Sequence, residues 1–182
     1  MKKFSDVLKN KNEIKPFTYE YGCVMLYFDI PNWEKDILSL IKKDDIYDVD
    51  SYGIENETHI TLLYGFEQSV TADDIKKILK DIPKIEIELK FIDIFENNEY
   101  DVVKFDINCF YLNELNGKLQ ALPSIKTFDV YHPHMTIAYL KHGKGKKYIG
   151  EILNPIKVKS SKIIYSLRTG TSEKKVVEIK KW

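Results

Sequence analysis

Two short stretches of this chain repeat one pattern of chemically able residues. The first is Glu57-Thr58-His59-Ile60-Thr61-Leu62-Leu63-Tyr64-Gly65, the second Tyr131-His132-Pro133-His134-Met135-Thr136-Ile137-Ala138-Tyr139. Both read His-x-Thr, then two apolar residues and a Tyr. Histidine has an unperturbed pKa near ~6.5, so it can take or give a proton near neutral pH. A threonine hydroxyl can donate to a charged oxygen. Breaking a phosphodiester needs a base for the attacking hydroxyl and an acid for the leaving oxygen, on opposite sides of the phosphorus. Two imidazoles and two hydroxyls meet that requirement. His59, Thr61, His134 and Thr136 are therefore the candidate catalytic residues, and the sequence leaves open which histidine is base and which is acid.

Such residues must be held on a common surface. Both stretches are apolar and β-prone, and side chains two apart on a strand share a face. His59 thus shares a face with Thr61, and His134 with Thr136. The flanking elements read as mixed α and β. A strand is expected over Gly22 to Ile30, stopped by Pro31. A helix follows, with Trp33, Ile37, Leu40 and Ile41 on one face. Thr71 is a good N-cap for a second helix carrying Ile75, Ile78, Leu79 and Ile82. Ile85 to Phe91 alternates cleanly and pairs with Val102 to Cys109 as a hairpin, turned at Asn97-Asn98. Leu112, Leu115, Leu119 and Leu122 give a third helix. The second His-x-Thr strand follows, then a basic loop and a short helix with Tyr148, Ile149, Ile152 and Leu153. A last hairpin spans Val158 to Leu167 and Lys174 to Trp182. Each half thus carries a His-x-Thr strand followed by a helix. The expected fold class is α+β, with antiparallel sheets covered by helices on one side. Residues 1–20 read as an N-terminal accessory segment and residues 21–182 as a single two-lobed domain.

Composition bounds the partners. With 28 basic and 28 acidic residues in 182, the formal net charge is zero. There is no global basic field of the kind that marks a binder of long duplex nucleic acid. The sole arginine is Arg168, which argues against a site built on arginine forks. Cys23 and Cys109 sit between apolar residues in expected strands and read as buried, reduced thiols. Neither a zinc-type Cys/His spacing nor a carboxylate cluster stands near the motifs, so the expected chemistry uses no metal and no cofactor. The N-terminus lacks the apolar core of a signal peptide, and no run is long enough to span a bilayer; the expectation is a cytoplasmic protein without a membrane partner.

Four further residues are candidates for holding substrate. Tyr27 lies mid-strand and offers a ring or hydroxyl to a base or phosphate. Lys141 opens the basic loop Lys141-His142-Gly143-Lys144-Gly145-Lys146-Lys147, ahead of an expected helix N-terminus that favours phosphate. Tyr165 and Trp182, on the last hairpin, offer walls for a nucleobase pocket. His132 and His142 fall outside the motif spacing and read as flanking groups.

With its two His-x-Thr motifs, the chain resembles the 2H phosphoesterases from about Tyr21 to its last hairpin. The resemblance implies an α+β fold of two pseudo-symmetric lobes, with helices on the outer faces and an active-site cleft between them, and metal-independent cleavage of phosphodiester or cyclic-phosphate bonds, with His59, Thr61, His134 and Thr136 at the motif positions. Within that family the chain looks most like the phage-encoded anti-CBASS phosphodiesterases, which hydrolyse cyclic di- and trinucleotide alarm signals. The features that carry this finer likeness are its compact size, the strand Gly22-Cys23-Val24-Met25-Leu26-Tyr27 and the block His59 to Gly65. The implied partner is a cyclic oligonucleotide or a short RNA. The alternatives are an enzyme acting on 2′,3′-cyclic-phosphate or 2′-5′-linked RNA, and a protein that sequesters a nucleotide without turnover.

Overall fold

The computed structural model describes residues 20–49, 52–171 and 173–182. The expected accessory segment lies outside the described residues up to position 19. Seven strands are present among the described residues: β1 (Gly22–Phe28), β2 (His59–Phe66), β3 (Glu86–Glu96), β4 (Tyr100–Asp106), β5 (His134–Lys141), β6 (Gly150–Ser166) and β7 (Val176–Lys181). The helices are α1 (Trp33–Asp36), α2 (Ala72–Ile78) and α3 (Phe110–Leu119). Every pairing is antiparallel, in the order β2-β1-β6-β3-β4-β5, with β7 also on β6.

β6 is the spine. Its first half pairs with β3, and its second half with β1 and β7. One lobe is therefore β2-β1-β6-β7 and the other β6-β3-β4-β5. The strand path ends on β2 and β5, the two His-x-Thr strands, and these two ends approach one another. Beneath them Ile60, Leu62, Met135 and Ile137 are buried in one apolar core with Leu26, Phe105 and Ile163. Alternation thus sends apolar residues inward and leaves His and Thr facing out.

Each motif strand is flanked by a connection from the other lobe. The β1–β2 connection runs along β5: Tyr47 N donates to Tyr139 O at 3.0 Å and Tyr139 N to Gly53 O at 2.7 Å. The β4–β5 connection, which includes α3, runs along β2: Ile125 N donates to Gly65 O at 3.0 Å, and the Asn116 side chain donates to Leu62 O at 2.7 Å. Gly65 adopts φ +124°, and a Cβ there would lie 2.6 Å from Ile125 O, so this close approach requires glycine.

Two expected helices are corrected. The first shrinks to the single turn of α1 followed by a 3₁₀ turn, Leu38–Leu40. Its backbone departs from helical values at Ile37 (φ −115°), and Ser39 Oγ donates back to Lys35 O. Trp33, Ile37 and Ile41 are still buried, whereas Leu40 is exposed. The helix expected around Tyr148 to Leu153 is a 3₁₀ turn, Lys146–Tyr148, leading into β6. Along β3 the register passes from Leu89↔Ile156 to Phe91↔Glu151. The residues between Glu151 and Ile156 bulge outward there, so Pro155 interrupts no ladder bond, and Leu153 is 98% exposed. Cys109 is not in a strand; it stands at the N-cap of α3.

Candidate functional site

The two motifs position their histidines by the same bond. His59 Nδ1 lies 2.8 Å from Glu57 O, and His134 Nδ1 lies 2.7 Å from His132 O. A carbonyl only accepts, so each Nδ1 carries the hydrogen and Nε2 is left as the ring nitrogen for chemistry. The carbonyl stands two residues back on the same chain, which explains why one local sequence suffices to orient each ring. Thr61, His134 and Thr136 line a cleft of about 770 Å³ between the motif strands. His59 packs beside Tyr27, ring centroids 5.5 Å apart. It is near enough to His134 for its charge to bear on that imidazole.

The two imidazoles have different surroundings. Burial lowers the pKa of His134 from its ordinary value; the Lys104 ammonium and His59 push the same way, while the His132 carbonyl and Asp106 oppose them. His134 is therefore neutral at pH 7, with a free Nε2 lone pair. Phe95 meets its ring edge-to-face at 4.9 Å. On the other lobe the Tyr27 hydroxyl donates to Glu57 Oε2 at 3.1 Å, and Lys162 Nζ sits 5.0 Å from the Tyr27 ring centroid. Burial, then Glu57, raise the Tyr27 pKa, so the phenol stays protonated. Cys23 also lines the cleft, and burial pushes its thiol up to about 12 against the opposing hydrogen bond with Thr61.

The substrate-holding candidates separate. Tyr27 is next to His59, as its register partner on β1. Tyr165 is a core residue, corrected from a pocket wall: it is 1% exposed, meets Phe66 edge-to-face and donates its hydroxyl to Val70 O at 3.0 Å. Its position on the central strand β6 buries it from both sides. Lys141 is turned away from the cleft and donates to Asp44 O at 2.8 Å. Trp182 is held by its backbone N–H on Ser161 O at 3.0 Å, with Lys180 Nζ over its ring. Tyr27, which is 9% exposed, Lys141 and Trp182 do not line the cleft.

Other groups at the site escaped the sequence reading. Lys104, opposite Thr136 in the β4–β5 register, has a side chain only 2% exposed. Its ammonium binds Asp106 and, at 3.3 Å, Asp93, and lies 4.3 Å from the Phe95 ring centroid. In an alternating strand such a Lys reads as solvent-facing, and nothing local marks it as buried. The loop carrying Ile125, Phe128 and Val130 forms an apolar wall, with Phe128 75% exposed. Among the described residues no three His, Cys, Asp or Glu side chains converge as metal ligands. No helix among them is long and apolar enough to cross a membrane.

A model of the 2′-5′ RNA ligase superfamily matches residues 51–161. The chain belongs to that superfamily. The 2H phosphoesterase kinship read from the two motifs therefore holds. No curated protein matches the chain in sequence. Among solved structures, Escherichia coli LigT complexed with 3′-AMP is similar at a TM-score of 0.57 and 14% identity, over 90% of this chain and 98% of that one. The same protein complexed with NADP+ gives 0.51 and 14%, over 90% and 98%. A protein described as a phosphoesterase gives 0.50 and 14%, over 88% and 96%. At this identity the likeness shows the shared α+β fold. Superfamily membership supports phosphodiesterase chemistry in general for this chain.

Proposed function

We propose that this chain is a metal-independent phosphodiesterase that hydrolyses cyclic di- and trinucleotide signals, the activity by which a phage evades a CBASS defence. The observation that carries the chemistry is the matched pair of His-Thr sets on facing strands, each imidazole held by Nδ1 so that Nε2 is free. His134, kept neutral by burial and by the Lys104 charge, is the general base. It takes the proton of the attacking water as the new P–O bond forms. His59, protonated, gives its proton to the leaving ribose oxygen as the old P–O bond breaks. Thr61 and Thr136 donate to the non-bridging oxygens, where charge builds in the transition state. The cleft volume falls within the ~300–1,000 Å³ range of small-ligand sites, and its aromatic lining suits nucleobases. With zero net charge, the chain has no field for long duplexes.

The superfamily match favours a second reading, cleavage of RNA ends bearing 2′,3′-cyclic phosphate or 2′-5′ linkages. A panel of cyclic di- and trinucleotides alongside a 2′,3′-cyclic-phosphate oligonucleotide and a 2′-5′ dinucleotide separates the two. Turnover is expected for the cyclic oligonucleotides, unchanged by EDTA. Turnover of the RNA substrates alone favours the second reading. Binding without product makes the protein a nucleotide sponge, and loss of activity on chelation with recovery on adding a divalent ion removes the metal-free mechanism.

A further inference from the structure

The repeated pattern extends one residue type beyond His-x-Thr. Tyr64 and Tyr139 each stand five positions after the motif histidine. On a regular strand a residue at that spacing points away from the histidine. Here both tyrosines line the cleft together with Thr61 and Thr136. The cause is a pair of β-bulges at equivalent positions. Against β1 the register passes from Met25↔Thr61 to Val24↔Leu63, so Leu62 is the extra residue. Against β4 it passes from Lys104↔Thr136 to Val103↔Ala138, so Ile137 is the extra residue. A bulge inserts one residue and resets the alternation, which brings each Tyr onto the His-Thr face.

Both bulges are held from the opposite lobe. Leu62 O accepts from the Asn116 side chain at 2.7 Å, and Ile137 O accepts from Glu55 N at 2.9 Å. The two rings also have separate aromatic surroundings. Tyr64, 38% exposed, meets Tyr21 edge-on at 5.9 Å, near the apolar loop of Ile125 and Phe128. Tyr139 packs with Tyr52 at 5.0 Å and Tyr100 at 5.6 Å. Each motif strand therefore presents an aromatic surface up to about 10 Å along the strand beyond its threonine.

We propose that Tyr64 and Tyr139 are two nucleobase subsites, one per lobe, so that the substrate must carry a nucleoside on both sides of the phosphate held between the His-Thr pairs. This rests on the phosphodiesterase reading for the position of the phosphate. It commits the substrate to a dinucleotide or larger and disfavours a mononucleoside cyclic phosphate. Stacking is tolerant of base identity, so the two subsites select for the number of bases rather than for their kind.

The test is binding by calorimetry, using a phosphorothioate-linked cyclic dinucleotide, its analogue lacking one base, and a 2′,3′-cyclic mononucleotide. KM and kcat are measured in parallel on the cleavable forms. Tyr64→Leu and Tyr139→Leu should each weaken the cyclic dinucleotide about 5- to 100-fold, with kcat little changed. Tyr64→Phe and Tyr139→Phe should restore binding, because they keep the ring. Against the one-base analogue only one of the two Leu variants should still weaken binding. Mononucleotide binding as tight as that of the dinucleotide overturns the proposal, as does unchanged affinity in both Leu variants. Because binding is read separately from turnover, an absence of hydrolysis by the wild-type protein would sink the phosphodiesterase reading, while the binding pattern would still decide between one base and two.

Discussion

His59 and His134 hold equivalent bonds in unequal surroundings, and the mutational consequences should follow that pattern. If one takes a proton and the other gives one in the same step, His59→Ala or His134→Ala should each cost about 10²–10⁴-fold in kcat. The double variant should cost little more than the worse single, because the pair serves one step. Thr61→Ala and Thr136→Ala should be milder, since other donors still hold the phosphate. Turnover of the best substrate, with thermal melts alongside, checks this set; a His134→Ala protein that is fully active leaves the mechanism without its base. The pH dependence carries a sign. The His134 pKa is lowered, so the base is neutral down to a pH below its ordinary value, and the acid limb of the pH–rate profile should lie at that lowered pKa. Lys104→Met removes a nearby positive charge and leaves Asp106, so the acid limb should move to higher pH. Asp93 and Asp106 are 36% and 46% exposed, so both can be hydrated once the ammonium is gone, and the melting temperature should change little. A pH–rate profile of the variant decides it; an unmoved acid limb would make Lys104 a packing residue only.

At the level of elements, the site depends on two bulged strand ends and on what satisfies them. Asn116, buried on α3, is the side chain that reaches the Leu62 carbonyl, and it also accepts from Gln120 Nε2 at 2.7 Å. Asn116→Ala leaves that carbonyl without this donor, at a cost of about 1–3 kcal/mol. The expected outcome is a lower denaturation midpoint, together with a KM increase from a mispositioned Tyr64. A lower midpoint with unchanged KM would show that the bulge stands without its cap. The same scale explains why the helix expected after β5 is absent: β6 must run long to serve both lobes, and the chain enters it directly from a 3₁₀ turn.

For the molecule as a whole, a shared spine and two exchanged connections join the lobes. β6 pairs with β1 and β7 at one end and with β3 at the other, and each motif strand is flanked by the other lobe's chain. Unfolding should therefore be a single transition, with far- and near-ultraviolet circular dichroism superimposing through the melt. Two separated transitions would show that the lobes are independent domains.

The sequence by itself singled out the candidates for the chemistry. His59, Thr61, His134 and Thr136 declare themselves because a strand places residues two apart on one face, a rule that needs no partner strand. The hairpins, the capped helix at Thr71 and the α+β class follow from period and punctuation in the same way. Tertiary structure alone decided the rest. Where a strand aromatic ends depends on what packs over it: Tyr165 and Tyr27 read alike in sequence, yet Tyr165 lies in the core and Tyr27 beside His59. Lys104 looks solvent-facing until β3, β5 and Phe95 close around it. A bulge exists only in the register between two strands, and single-strand alternation points Tyr64 and Tyr139 the wrong way until that register is known.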